Sequence, residues 1–305
     1  MPERKEIVFI INPRSGSRKK KNLQFKIESF IDQNKYCPVF ELTKYAGHAT
    51  NIVKQYIQKG TKYFVAVGGD GTVNEVASAL VSTGAVMGIV PAGSGNGLAR
   101  SLKIPMNTVK AIQCINNGNC LNIDAGSINE RYFFCTCGSG FDAKIGHQFA
   151  KSEKRGFFSY IKTTLKEFHN YKPRKFRLKI DGKKMKRKAF LITVANAGQY
   201  GNNAYIAPQS KIDDGKFDVC VFKPFPLICS LGLGIRLFAR NINRSRYIET
   251  LRAEKVVFRK KQNYKFHIDG EPVKFRGPVK ISVIQAGLKV IVPKENQKKT
   301  LNFEL

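Results

Sequence analysis

Two apolar rhythms alternate along the first 120 or so residues. Short apolar runs of strand length are followed by stretches in which apolar side chains return every three or four positions. "EIVFIIN" (Glu6–Asn12) reads as a buried strand, and "NLQFKIESFI" follows with helical spacing at Leu23, Ile27 and Phe30. "CPVFELT" is the next strand, "NIVKQYIQKG" a helix closed by Gly60, and "KYFVAV" a third strand. After a glycine bend, Val73, Val76, Ala77, Leu80 and Val81 fall on one helical stripe. "AVMGIVPAG" gives a fourth strand, with short helices over "GLARSL" and "MNTVKAIQCI". Such alternation predicts a parallel sheet with helices on both faces.

From about Asn119 the pattern becomes a series of short strands: "NIDAGSI", "RYFFCTC", "KFRLKID", "KAFLITVANAG", "FDVCVF", "KVVFRKK", "KFHID", "VKFRG", "VKISVIQAG" and "LKVIVP". "DGKK" and "DGEP" read as hairpin turns. Helical stretches interrupt at roughly 140–170 and 226–241. The expected fold is α/β plus all-β. An N-terminal parallel-sheet α/β nucleotide-binding domain covers residues 1–125 and regains 286–305. A mainly antiparallel β-sandwich domain covers 126–285.

Charge narrows the partners. The chain carries 53 basic and 22 acidic residues, a net charge of +31. This favours anionic partners such as nucleotides, nucleic acid or anionic lipid surfaces. No aromatic-basic RNA signature or recognition motif accompanies it, so nucleic acid is not expected as a partner. No secretory signal is read at "MPERKEIVFIINP", and no apolar run approaches the ~18 residues of a membrane span. The seven cysteines form no CxxC, and Cys135 and Cys137 read as core thiols; a cytoplasmic protein is expected.

Three small-residue loops follow strands of the parallel sheet: "NPRSGS" (Asn12–Ser17), "GGDGT" (Gly68–Thr72) and "PAGSGNGLAR" (Pro91–Arg100). Ligands of open α/β sheets bind at the carboxyl ends of the strands. Glycine allows close backbone approach, and a following helix N-terminus attracts phosphate. Asp70 needs a role beside phosphates, either holding Mg²⁺ or accepting a proton. No GxxxxGK[ST] occurs, and "GSGNGLA" is not GxGxxG. The residues by themselves define an anion or nucleotide site of a less common type.

"NPRSG", "GGDGTVNEV" and "PAGSGNGLAR", in this order and spacing, resemble the diacylglycerol kinase catalytic domain family. That family includes bacterial soluble lipid kinases and the sphingosine and ceramide kinases, and is related to NAD kinases. "YIAPQSKIDDGKFDVCVF" and "HIDGEPV" extend the resemblance over nearly the whole chain. It implies an ATP- and Mg²⁺-dependent lipid kinase with ATP bound between two domains. ATP contacts carry over onto Asn12, Pro13, Arg14, Ser15, Gly16, Thr43, Gly69, Asp70, Gly71, Thr72, Val73, Asn74, Glu75 and Ser94. Glu271 is the implied general base, with Asp70 and Asp124 in a water and Mg²⁺ network. A structural Mg²⁺ would be held by the Asp214 carboxylate and the backbone carbonyls of Lys211 and Lys216, with Asp124 a further candidate ligand.

The acceptor implied first is diacylglycerol; a sphingoid base, ceramide or phosphatidylglycerol stands as the alternative. An NAD kinase-like enzyme and a basic nucleic-acid-binding protein are the readings from other classes. The expected partners are a membrane lipid substrate and, transiently, an anionic membrane surface, giving a cytoplasmic protein peripheral to the membrane; a homodimer is left open. "PFPLICSLGLGIRLFARNINRSRY" (Pro224–Tyr247) reads equally as an interfacial segment or as a helix packed on the β domain.

Overall fold

The computed structural model describes residues 4–15, 23–149, 167–168, 171–259 and 264–294. The chain divides into two compact units, Met1–Ile123 with Ala286–Leu305, and Asp124–Gln285.

In the first unit, elements alternate: β1 (Lys5–Ile11), α1 (Leu23–Phe30), β2 (Tyr36–Leu42), α2 (His48–Gln58), β3 (Tyr63–Gly68), α3 (Asp70–Leu80), β4 (Val86–Pro91), α4 (Gly97–Ser101) and α5 (Thr108–Asn117). The strands pair in the order β2-β1-β3-β4, all parallel. Ile7–Ile10 and Phe64–Val67 are fully buried, as strands covered on both faces must be. α1 packs with α5 and α2 with α3. Beyond β4, Lys289 and Val290 pair in parallel with Val86 and Met87, so residues C-terminal to the β-rich stretch complete this sheet; residues 295–305 lie outside the described ones. α2 begins three residues before the apolar run that foretold it, because the Glu75 carboxylate accepts the Gly47 and Ala49 N–H groups (2.8 and 3.2 Å) and caps it from another helix.

The second unit is built from β5 (Asn119–Ile128, entered at Asp124), β6 (Arg131–Phe133), β7 (Thr136–Gly140), α6 (Phe141–Phe149), β8 (Arg174–Ile180), β9 (Lys183–Ala189), β10 (Leu191–Ala195), β11 (Phe217–Phe222), α7 (Ser230–Phe238), β12 (Ile248–Ala253), β13 (Lys255–Phe258), β14 (Tyr264–Ile268), β15 (Glu271–Phe275) and the first half of β16 (Val279–Val292). One sheet runs β12-β11-β10-β7-β14-β15, antiparallel throughout. The other contains β16-β13-β8-β9, also antiparallel. Their inner faces meet in one core, with Ile192, Val194, Val219 and Phe266 on one side and Phe176, Leu178, Val256, Phe258 and Ile281 on the other. The outer face of the first sheet carries a second cluster, in which Phe141, Ile145, Phe190, Leu191 and Phe222 pack with Leu233 of α7.

Three predicted strands differ in outline. "RYFFCTC" is broken at Phe134–Cys135, whose N–H groups turn to the Asp269 carboxylate instead of a ladder. "KAFLITVANAG" is broken at Phe190, where the chain passes from one sheet to the other. "VKISVIQAG" and "LKVIVP" are one strand, β16, with Ala286 in the left-handed region (φ 49°). Of the predicted helix over 140–170, Phe141–Phe149 is helical and 150–166 lie outside the described residues. Both predicted hairpin turns form, with Asp181–Gly182 and Asp269–Gly270 at positive φ, as the two-residue turn with the strands' own twist requires.

The β8–β9 hairpin has an unusual outward face. Lys175, Arg177 and Lys179 stand opposite Lys188, Lys186 and Lys184, so three consecutive outward cross-strand pairs are like-charged. All six residues are exposed.

Candidate functional site

β1 and β3 are neighbours although a helix, a strand and a second helix separate them in sequence. The strand order therefore reverses at this pair, and the carboxyl ends of the two strands open onto the crevice where such sheets bind ligands. The first two small-residue loops leave these two strand ends. They are joined by Asn12, whose Nδ2 donates to Thr72 Oγ1 at 3.0 Å. Asn12 also shapes its own loop: its Oδ1 accepts the Arg14 N–H (2.9 Å), and its carbonyl accepts the Ser15 hydroxyl (2.9 Å). Pro13 and Arg14 are exposed, and Gly16 lies outside the described residues. Thr43 follows β2 at the same edge, its N–H bonded to the Ile11 carbonyl.

The glycine bend opens α3. Gly69 is its N-cap, no side chain caps the helix, and the amides of its first turn face the same edge. The third loop comes against it backbone to backbone. A Cβ on Gly93 would sit 2.6 Å from Gly69 Cα, so glycine is required for this approach. Asp70 locks the two loops together. Its Oδ2 accepts the Asn96 N–H (2.9 Å) and its Oδ1 the Gly97 N–H (2.6 Å), capping α4 from outside. Burial raises the Asp70 pKa above the usual carboxylate value, against the pull of these amides and of Arg100. Asn96 closes the third loop on itself, bonding both the N–H and the carbonyl of Gly93 (3.0 and 2.9 Å). Ser94, at the loop tip, is exposed. Thr72 and Val73 are buried, and Asn74 Oδ1 accepts the Ser78 hydroxyl. Asn12, Ser15, Gly69–Glu75 and the Ser94 loop thus share one edge of one unit.

The other predicted residues belong to the second unit. Glu271 opens β15 and is exposed. The turn before it is pinned by Asp269, whose carboxylate accepts the N–H groups of Phe134, Cys135 and Thr136 at 3.0, 2.8 and 3.0 Å. Asp124 is buried and its Oδ2 accepts the Gly215 N–H at 2.6 Å. Asp214 accepts the Lys216 N–H (3.1 Å) and pairs with Arg252. Beside them, burial and the Asp124 charge raise the pKa of Asp213.

The donors proposed for a Mg²⁺ ion suit it in kind, one carboxylate with main-chain carbonyls. Arg252 already supplies positive charge to Asp214, so an ion bound there would displace that guanidinium. Among the described residues no cluster of three or more His, Cys, Asp or Glu is arranged to hold a metal.

Two polar groups of the second unit were not singled out from sequence. Asp269 sits inside the quoted "HIDGEPV", where its three amide partners, more than 130 residues away, could not be seen. Asp142 is buried, and its Oδ2 takes Thr193 Oγ1 (2.9 Å) and faces His267 Nε2 (3.1 Å). "GSGFDA" was its only signal. His267, on β14, is buried.

Residues 6–128 match the diacylglycerol kinase catalytic domain, and residues 135–292 match the YegS C-terminal NAD kinase beta sandwich-like domain. The chain belongs to the diacylglycerol kinase and YegS family of lipid kinases. A diacylglycerol kinase of Bacillus subtilis is 28% identical over 94% of this chain and 96% of its own length. A diacylglycerol kinase structure from Bacillus anthracis superposes with a TM-score of 0.70 at 20% identity, covering 96% of this chain and 98% of the other. An NAD kinase from Archaeoglobus fulgidus in complex with ATP superposes at 0.52 and 12% identity over 97% of each chain, a likeness of fold.

Proposed function

We propose that the protein transfers the γ-phosphate of ATP to a membrane-lipid hydroxyl, with diacylglycerol as acceptor and phosphatidic acid as product. The observation that carries this is the set of three loops at the switch point of the parallel sheet, cross-linked by Asn12–Thr72 and by Asp70 with Asn96 and Gly97, in a chain of the diacylglycerol kinase family. Their glycines bring main-chain N–H groups to the surface at the α3 N-terminus, where phosphate is favoured. The ATP carried by the NAD kinase neighbour supports a nucleotide as the ligand of this fold.

In the proposed reaction Glu271 accepts the proton of the lipid hydroxyl while its oxygen bonds to the γ-phosphorus. The bond to the β–γ bridging oxygen breaks and ADP leaves. Asp70 holds the third loop against the glycine bend, fixing the surface on which the phosphates lie. Mg²⁺, when bound, supplies charge neutralisation of the phosphates. Asp214 with the Lys211 and Lys216 carbonyls and Asp124 are the proposed structural ligands. Phosphoryl transfer rests on positioning and charge more than on covalent chemistry, which suits a site made largely of backbone.

The test is label transfer from γ-labelled ATP with Mg²⁺ to a panel of diacylglycerol, sphingosine, ceramide, phosphatidylglycerol and NAD. Label in diacylglycerol, lost in Asp70→Asn and in Glu271→Gln with both variants folded, is expected. Label in NAD alone would move the chain to the NAD kinases, and full activity in either variant would remove the role given to that residue.

A further inference from the structure

The segment Leu227–Phe238, made of a single turn (Leu227–Cys229) and α7, is apolar on both sides apart from Ser230 and Arg236. Its inner side is spent: Leu233 is buried, and Cys229 and Leu237 pack against the cluster around Phe141, Phe190 and Phe222. Its outer side is apolar too. Leu227, Ile228, Leu231, Ile235 and Phe238 are each between 49% and 89% exposed. These are five of the nine large hydrophobic residues exposed among the described residues, gathered in twelve consecutive positions. A helix with apolar residues on every side is normally covered, and a contiguous exposed apolar patch marks a surface that meets something.

The charges around it say what. From Val219 to Ile248 the chain has no acidic residue, while Arg236, Arg240, Arg244 and Arg246 lie within that span; Lys223, also in it, pairs with Glu249 at 4.0 Å. Arg240 is held over the Tyr205 ring (4.3 Å) and Arg246 over the Tyr247 ring (4.9 Å), which fixes two guanidinium groups beside the patch. A second copy of this chain would bring the same cations against them in a two-fold pairing. An apolar stripe edged by arginine and free of acid fits a bilayer surface with anionic headgroups.

We propose that Leu227–Phe238 inserts its outer apolar side chains at the interface of an anionic bilayer, with the flanking arginines on the headgroups. The proposal names the partner surface of the lipid kinase and rests on that reading for its purpose. The cationic β8–β9 face is the rival surface in the same unit. It lies on the outside of one sheet, whereas α7 lies on the outside of the other, with the sandwich core between them. One flat membrane therefore meets one or the other.

The native chain contains no tryptophan, so Ile228→Trp gives a single reporter. Vesicles of phosphatidylcholine alone, and of phosphatidylcholine with phosphatidylglycerol, are the probes. On the mixed vesicles the indole emission of Ile228→Trp is expected to shift to the blue and to be quenched by brominated acyl chains. The double change Ile228→Asp with Leu231→Asp, both on exposed positions, is expected to lower co-sedimentation with these vesicles roughly tenfold or more with unchanged thermal stability. Arg177→Glu with Lys186→Glu is expected to leave the insertion signal in place. An unshifted indole emission on vesicles that sediment the protein, or binding lost in the ladder variant and kept in the α7 variant, would overturn the proposal. Neither readout uses phosphate transfer. Insertion by a protein that labels no lipid would sink the kinase reading and leave the docking surface standing.

Discussion

Asp269 allows the sharpest test of how the second unit presents Glu271. Its carboxylate takes three main-chain N–H groups at a break between strands, and its own N–H donates to the Thr136 carbonyl. Hydrogen bonds to a charged acceptor contribute about 1.5–3 kcal/mol each when buried, and about 1 kcal/mol is a fair value for each in this half-buried setting. Asp269 also holds a left-handed backbone (φ 46°), which asparagine tolerates and alanine does at a cost of about 1 kcal/mol. Asp269→Ala should therefore lose about 4 kcal/mol, and Asp269→Asn, which keeps the turn and one acceptor oxygen, about 1–2 kcal/mol. A domain of ordinary stability, about 5–15 kcal/mol, survives both. Urea denaturation of each variant measures the two losses, and label transfer under conditions where both are folded should follow the same order. Equal losses within about 0.5 kcal/mol would refute the carboxylate as the anchor of the turn.

The remaining predictions concern charge. Hydrogen bonds from Arg187 hold the Glu249 carboxyl below its usual value. Its stabilisation is complete above the ordinary carboxylate range and is lost as the pH falls through the lowered value; acid unfolding of Arg187→Gln should lack that component. In the β8–β9 ladder, Arg177→Glu replaces a like pair with an opposite one and should stabilise the fold by about 0.5 kcal/mol at low salt. The gain should shrink in high salt, and a destabilised variant would show that the ladder is already neutralised. Arg252→Gln frees the Asp214 carboxylate, so calorimetry should find Mg²⁺ bound severalfold more tightly than by the native chain. Affinity unchanged in both Arg252→Gln and Asp214→Ala would place Mg²⁺ elsewhere.

The parallel sheet of the first unit was legible because apolar strand runs such as "EIVFIIN" and "KYFVAV" alternate with stretches of helical spacing; the strand order was not. The loops were legible because close backbone-to-backbone contact admits only glycine, as at Gly93. What stayed hidden were partners distant in sequence. Nothing near Glu75 announces that its carboxylate caps a helix begun 27 residues earlier, and nothing near Phe134 announces the acid that ends its strand. The single strand β16 was hidden for the opposite reason. "QAG" carries the residues of a turn, yet Ala286 takes the left-handed conformation and the strand continues.

The proposed phosphate site contains acids and needs a physical reason not to repel its ligand. Asp70 and Glu75 each accept two main-chain N–H groups of their own unit, so both oxygens of each carboxylate are engaged at helix ends and part of their charge is offset there. Each carboxylate sits at the positive end of a helix, α4 for Asp70 and α2 for Glu75, where negative charge is favoured. The acids therefore order the loops while the glycine amides and the α3 N-terminus stay available. Replacing Asp70 with asparagine keeps one acceptor and sets an NH₂ against the second N–H. The third loop would come away from the glycine bend without any change in the sheet beneath. That separation of loop order from fold is why Asp70→Asn is expected to remove transfer and leave the protein folded.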